Sequence, residues 1–361
     1  MHATTVAVDL AKSVFQVAVA DDVWKVVERH RLTRLQFERW FQNRNVKLVI
    51  MEACGSAHHW ARWFARLGIK ARLLPAAYVR AYVRRNKTDA ADACALLEAA
   101  RCADIEPVRV KSVEQQALQG LHRIRSLWMS TRTARINALR GFCREFGLTV
   151  PPGARTGVEA ISRVLADPSS PVPMLVRHSM KLLVEEIRLL EQRIADLERE
   201  LAEHAKQSPA CKVLLSIPGI GLLSATAMAA ATGGDVSHFK DARHFSSWFG
   251  LTPKEYSSGS TRRLGRISKR GDRYLRMLLT HGARAVLRSA TLARRAGRRL
   301  DGLREWITGV EARSNHNKAA CALANKLARI CYACLRDSTP FGQPVTRPNK
   351  KLQRTAFATA A

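Results

Sequence analysis

Asp89 and Asp92 stand three residues apart in the stretch Asn86-Lys87-Thr88-Asp89-Ala90-Ala91-Asp92-Ala93. Residues 89–101, which begin there, are rich in Ala and Leu and contain neither Gly nor Pro, so a helix is expected. At that spacing both carboxylates leave one face of the helix, where their like charges repel. Two readings fit: an acidic first turn that complements the helix dipole, or a seat for a hard divalent cation. Asp9 and Glu52 upstream offer two more carboxylates and favour the cation. Four acids on three elements could hold two divalent ions roughly 4 Å apart and polarise a phosphodiester.

A second constellation lies in the rear half. Residues 250–261 read Gly-Leu-Thr-Pro-Lys-Glu-Tyr-Ser-Ser-Gly-Ser-Thr and run into Arg262, Arg263, Arg266, Lys269 and Arg270. Serines beside a glycine and a row of cations could bring a phosphate to a hydroxyl; the same composition also suits an ordinary loop. Residues 216–221, Ser-Ile-Pro-Gly-Ile-Gly, sit between two helical patterns as the hairpin of a helix-hairpin-helix or as a Pro-Gly turn. In the first reading Gly219 and Gly221 let backbone approach a phosphate, and the next helix offers free N–H groups to it. Such contacts read the nucleic-acid backbone and not its bases. Lys87 and Arg276 complete the candidate phosphate contacts.

The elements that must position these residues follow from periodicity. Short Val/Ala-rich runs place strands at residues 4–10, 14–19, 24–32, 47–51 and 70–74, with helices at 35–43 and 58–67 between them. The order β-β-β-α-β-α-β-α describes an α/β domain with a mixed sheet. Asp9 falls on its first strand, Glu52 at the C-terminal end of a central strand, and Asp89 and Asp92 on a later helix that can cap the same sheet end.

From residue 113 the period becomes helical. Residues 113–146 repeat apolar positions at three and four, with Arg123, Arg125, Arg132, Arg135 and Arg140 among the rest. In residues 179–204, Leu183, Ile187, Leu190, Ile194, Leu197 and Leu201 form a heptad seam. That seam can close an intramolecular helical hairpin or a coiled coil between protomers. Residues 262–304 carry 14 Lys/Arg against two acids, a charged ridge suited to nucleic-acid backbone. The expected division is 1–110, an α/β domain; 111–207, a helical connector; 208–340, a mainly helical domain; and 341–361, an aperiodic tail expected to be disordered.

Composition bounds the class. Of 361 residues 47% are hydrophobic, enough for two or three cored domains, and 60 Lys+Arg against 30 Asp+Glu leave a net charge of +30. Such an imbalance is usually kept for a polyanionic partner. The eight cysteines are scattered in apolar stretches, as thiols of a reducing cytoplasm are. Cys331 and Cys334 form a CxxC without a second pair, which argues against zinc. No apolar run reaches a membrane-spanning length, so no membrane partner is expected.

Five ordered motifs now carry a resemblance: DLAK at 9–12, EACG at 52–55, NKTDAADA at 86–93, SIPGIG at 216–221 and GLTPKEYSSGSTRRLGRISKRGDRYLR at 250–276. Together they resemble the insertion-sequence transposases of the IS one-ten family, and the last segment resembles its one-eleven-eleven branch. The likeness covers residues 1–340. It implies an RNase H/RuvC-like first domain in which Asp9, Glu52, Asp89 and Asp92 hold Mg2+ or Mn2+. It implies a C-terminal domain whose Ser258 is the nucleophile, with Ser257 and Ser260 as adjacent alternatives. It further implies DNA ends and target as substrates, a structured RNA encoded by the element, and active sites assembled between protomers of a dimer or tetramer. A junction-resolving metal nuclease that uses the four acids and water, without a serine adduct, is the alternative. A non-catalytic RNA- or DNA-binding protein is a further one.

Overall fold

The computed structural model describes residues 5–83 and 89–344, and the side chains of Asp89 and Ala90 lie outside that description, as does Lys87. The chain divides into two compact units, Met1–Ser112 and Val113–Ala361.

The first unit is a mixed α/β layer structure. Strands β1 (Thr5–Leu10), β2 (Val14–Ala20) and β3 (Val26–Thr33) form an antiparallel meander, followed by α1 (Arg34–Gln42), β4 (Leu48–Glu52), α2 (Ala57–Arg66) and β5 (Lys70–Leu74). The sheet order is β3-β2-β1-β4-β5, with β4 parallel to β1 and β5 parallel to β4. A short turn of helix, α3 (Ala76–Val79), leads towards α4 (Asp89–Arg101).

Alternation along the strands sorts the two faces. Val6, Val8, Val49 and Met51 face α1 and α2, where Phe37, Phe41, Trp60 and Phe64 pack edge-to-face at centroid distances such as 4.6 Å for Phe41–Phe64. Ala7, Ala18, Ala20 and Ile50 face the other way, against Ala93, Leu96, Leu97, Ala99 and Ala100 of α4. Alanines on both sides let helix and sheet approach closely. Side chains from the rim strands hold the helix over the sheet: Arg72 of β5 donates to the Ala100 carbonyl (3.2 Å), and the Arg29 guanidinium of β3 lies 3.7 Å from Cys94 Sγ.

The second unit is helical. It opens with α5 (Val113–Glu145), α6 (Ala154–Ala166) and α7 (Met174–Gln207). The heptad seam is spent inside this unit: Ile187, Leu190, Ile194, Leu197 and Leu201 are buried, and Ile187, Leu197 and Leu201 lie in clusters that also take in Leu118, Ile136 and Leu139 of α5. Arg125 Nε donates to Glu198 (2.7 Å), Arg132 Nε to Glu191 (2.8 Å), and Arg135 pairs with Glu186, so α5 and α7 run antiparallel. Three of the arginines that sequence places on the helix surface are therefore interhelical ties.

The remainder comprises α8 (Pro209–Leu215), α9 (Leu222–Thr232), α10 (Ala242–Trp248), the hairpin β6 (Pro253–Glu255) and β7 (Leu264–Ile267), α11 (Arg273–Arg295), α12 (Gly302–Ala312) and α13 (His316–Asp337). Their core centres on Phe245, Phe249, Leu279, Leu287, Leu323 and Leu327. Helix α10 starts at Ala242 because the Asp241 carboxylate accepts the N–H groups of Arg243 and His244 and caps the helix there. Cys331 and Cys334 are buried in α13, and burial pushes both thiols up, which suits packing. Among the described residues no helix is long and apolar enough to cross a membrane.

Candidate active site

In the first unit the residues that could do chemistry collect at the C-terminal ends of β1 and β4. The parallel register pairs Val8 with Met51, so Asp9 and Glu52 are the next residues on adjacent strands, which lie about 4.8 Å apart. Ala7 and Ile50, two residues earlier, face α4; alternation puts Asp9 and Glu52 on that same face. Both are half-buried. Asp92 is half-buried in the first turns of α4 and shares a helix face with Leu96 and Ala99, which are packed against the sheet layer. Asp89 begins the same helix. Three of the four expected acids thus belong to one face of the sheet and the helix that covers it.

The donor set is oxygen only, which fits a hard cation such as Mg2+ or Mn2+. Among the described residues no three His, Cys, Asp or Glu side chains form a tight cluster, and the Asp89 side chain is not among those searched.

In the second unit the serine-bearing stretch is a β-hairpin, which sequence reading leaves as a loop. Its base is locked by two glycines. A Cβ on Gly250 would sit 2.2 Å from the Arg270 carbonyl oxygen, and one on Gly271 would sit 1.9 Å from that of Trp248; both glycines have positive φ. Backbone bonds Lys269 N to Gly250 O (3.0 Å) and Ser268 N to Thr252 O (2.7 Å) tie the two ends together. Arg276, expected as a phosphate contact, donates to the Phe249 carbonyl (2.8 Å) and braces the base. Asn325 of α13 reaches the Leu251 carbonyl (3.3 Å), a role with no local sequence signal.

Above this base the hairpin projects into solvent. Arg262, Arg263, Arg266, Lys269 and Arg270 are exposed, as are Ser257, Ser258 and Ser260. Ser258 and Thr261 exchange backbone bonds of 3.2 and 3.1 Å around Gly259 (φ +56°), so Ser258 opens the tightest turn. The Ser-Gly pair, a turn signal between two short runs that hold Tyr256, Leu264 and Ile267, is what could have shown the hairpin.

The two candidate glycines of the α8–α9 turn separate. Gly219 (φ +85°) packs on α11: a Cβ there would lie 2.8 Å from the Gly282 carbonyl oxygen, and one on Gly282 would lie 2.0 Å from that of Gly219. Gly221 has open space around it and directly precedes the first turn of α9. Of the pair, only Gly221 leaves room for an incoming group.

Sequence reading missed a buried polar network joining α5, α9 and α11. The Thr226 hydroxyl donates to the Leu222 carbonyl (2.7 Å), so it accepts from His122 Nε2–H (3.0 Å); His122 Nδ1 then accepts from the Tyr274 hydroxyl (3.0 Å). Burial first, then the charge of Arg125, pushes His122 down to about 4. In the first unit His58 Nδ1 accepts the Lys111 N–H (3.2 Å), and burial likewise pushes it down to about 4.

Comparison with known proteins decides the family. Residues 211–297 match the model of the transposase IS116/IS110/IS902 family, and residues 6–146 match a second transposase model, that of the IS110-type DEDD domain. The chain is 43% identical over 340 residues to a "probable family 20 transposase" of Pseudomonas aeruginosa, covering 94% of this chain and 98% of the relative. It is 39% identical over 328 residues to the transposase for insertion sequence element IS1111A of Coxiella burnetii (91% and 88%). It is 34% identical over 342 residues to the transposase for element IS1328 of Yersinia enterocolitica (95% and 99%). The chain belongs to the IS110-type insertion-sequence transposases. As a transposase it is an enzyme acting on DNA, and the 6–146 match places Asp9, Glu52, Asp89 and Asp92 within the DEDD-type region.

Both buried histidines have a folded pKa below the ordinary 6.5, so the unfolded chain binds more protons between 6.5 and about 4. Stability is therefore full above pH 6.5 and falls as pH drops towards 4. In urea titrations of the transposase, His122→Gln is expected to be less stable at pH 7 by about 1–3 kcal/mol. It should also show a visibly flatter loss on acidification, His58 accounting for part of what is left. An unchanged slope would contradict the neutral, buried assignment.

Proposed function

We propose that this transposase cuts and rejoins DNA through Ser258, assisted by divalent cations held by Asp9, Glu52, Asp89 and Asp92. The observation that carries the reading is the pairing of two different chemistries in one chain. One unit aligns half-buried carboxylates on a sheet face; the other presents a serine at the tip of a cationic hairpin with a rigid base. When bound, the cation neutralises the carboxylates and polarises the phosphodiester.

The residues of the chain do the rest. Arg262, Arg263, Arg266, Lys269 and Arg270, all exposed, draw the DNA backbone to the hairpin, and the open side of Gly221 with the first turn of α9 offers N–H groups to a phosphate. In the reaction the Ser258 Oγ–P bond forms as one P–O bond of the DNA breaks. The serine proton goes to solvent, and the released sugar oxygen takes one up. The phosphoserine keeps the bond energy, so rejoining needs no ATP. An RNA encoded by the element belongs to the same proposal by resemblance. An RNase H-like first unit, a helix-hairpin-helix at α8–α9 and a division into three functional parts belong to it too.

Assembly with a second copy is supported by a stripe the first heptad seam does not use. Leu175, Leu182 and Leu189 of α7 are seven residues apart and 90%, 46% and 50% exposed. Leu182→Glu with Leu189→Glu should lower the mass seen by light scattering at micromolar protein to that of one chain; an unchanged mass would remove these residues from any interface.

Native transposase incubated with element-end DNA, element-derived RNA and Mg2+ should form a protein–DNA adduct that survives boiling in detergent. Ser258→Ala, or prior RNase treatment, should reduce the adduct at least ~100-fold. Free DNA ends with no adduct would favour the junction-resolving nuclease instead, and an adduct in Ser258→Ala would remove Ser258 from its role.

A further inference from the structure

The hairpin tip carries three serines within four residues, and their surroundings differ. Ser257 Oγ donates to Glu255 Oε1 at 2.7 Å and accepts the backbone N–H of Arg263 at 3.1 Å. Glu255 Oε1 is also 3.5 Å from Arg262 Nε. The Arg263 carbonyl in turn accepts the Tyr256 N–H at 2.8 Å, so both backbone groups of Arg263 are held by residues 256 and 257. One step further out, Ser258 and Thr261 close the turn through their backbones alone. The Ser258 hydroxyl has no hydrogen-bond partner among the described residues.

This side-chain bonding occurs where the ladder is weakest. The β6–β7 register shifts between Pro253 and Glu255, and Pro253 has no N–H to give. A two-stranded ribbon in solvent is marginal without added constraints. The Glu255–Ser257–Arg263 bonds supply a constraint directly below the reactive turn. Ser257 has spent its hydroxyl hydrogen on Glu255 and one lone pair on Arg263, and so is the less available of the two adjacent hydroxyls.

We propose that Glu255 and Ser257 are positioning residues: a clasp that fixes the strand pair beneath Ser258 and leaves Ser258 as the hydroxyl presented to phosphate. The inference rests on the serine chemistry proposed above and adds the selection of one serine among three. Glu255 acts through Ser257, and both act through the orientation of Ser258.

The test uses the full chain and the detergent-resistant adduct, with the attached residue mapped by peptide mass spectrometry. Ser257→Ala should lower the adduct yield about tenfold, the scale of one lost hydrogen bond at a positioned group. The residual adduct should still map to Ser258. Glu255→Ala should match it, and the double variant should be no worse than either, because both remove one shared interaction. Ser257→Thr and Glu255→Gln, which keep the hydroxyl and an accepting oxygen, should restore most of the yield. An adduct mapped to Ser257 in the native protein, equal yields in Ser257→Ala and native protein, or a double variant down about a hundredfold would each overturn the clasp while leaving serine chemistry standing. A native protein that forms no adduct overturns it together with the serine chemistry.

Discussion

Like-charge repulsion between carboxylates on neighbouring parallel strands is the constraint around which the first unit is arranged. Asp9 and Glu52 end up side by side because β1 and β4 pair in register up to Val8 and Met51, the residues just before them. Neither strand could supply the pair alone, since side chains on one face of a strand recur only every second residue. The α4 layer closes the face by packing Leu96 and small alanines onto Ala7, Ala18 and Ala20, and carries Asp92 in with it. Burial lowers the screening of these charges, so bringing them together costs free energy that a bound cation would offset. A sheet this apolar on both faces can bear that cost at the C-terminal ends of its interior strands.

The second unit meets a different constraint, namely how to hold a solvent-exposed hairpin still. Its answer is backbone packed on backbone. Gly250 with Gly271, and Gly219 with Gly282, bring chain segments closer than any side chain would permit. Both interlocks involve α11 or the residue just before its N-cap, so this one helix fixes the serine hairpin and the α8–α9 turn together. Arg276 and Asn325 satisfy carbonyls near the hairpin base, while the cations of the hairpin arm remain exposed. The arginines of α5 serve the helical hairpin. A net charge of +30 thus overstates what is presented to a polyanion, because several guanidiniums are committed internally.

Much of this was legible in the chain itself. Strand and helix order in the first unit followed from short apolar runs and helical spacing, and the positions of Asp9 on the first strand and Glu52 at the end of a central one followed from that order. The seam of α7 was visible, but periodicity cannot say whether a heptad meets its own chain or another copy; the acidic partners of Arg125 and Arg132 show that it meets α5. The hairpin was hidden because its strands are short and polar, without a buried face to impose alternation. The His122–Thr226–Tyr274 network was invisible for another reason: its members are distant in sequence and unremarkable singly. The different roles of Gly219 and Gly221 depend on α11, which no local pattern reveals.

The proposed chemistry requires the carboxylates to be a cation site and not an acidic surface. Titration of Mn2+ into the native transposase, followed by the loss of the free-ion electron paramagnetic resonance signal, measures this without DNA or turnover. Saturable binding that Asp9→Asn, Glu52→Gln and Asp92→Asn each weaken at least ~10-fold is the predicted result. Binding that is absent from the native protein, or equal in all four proteins, would contradict it.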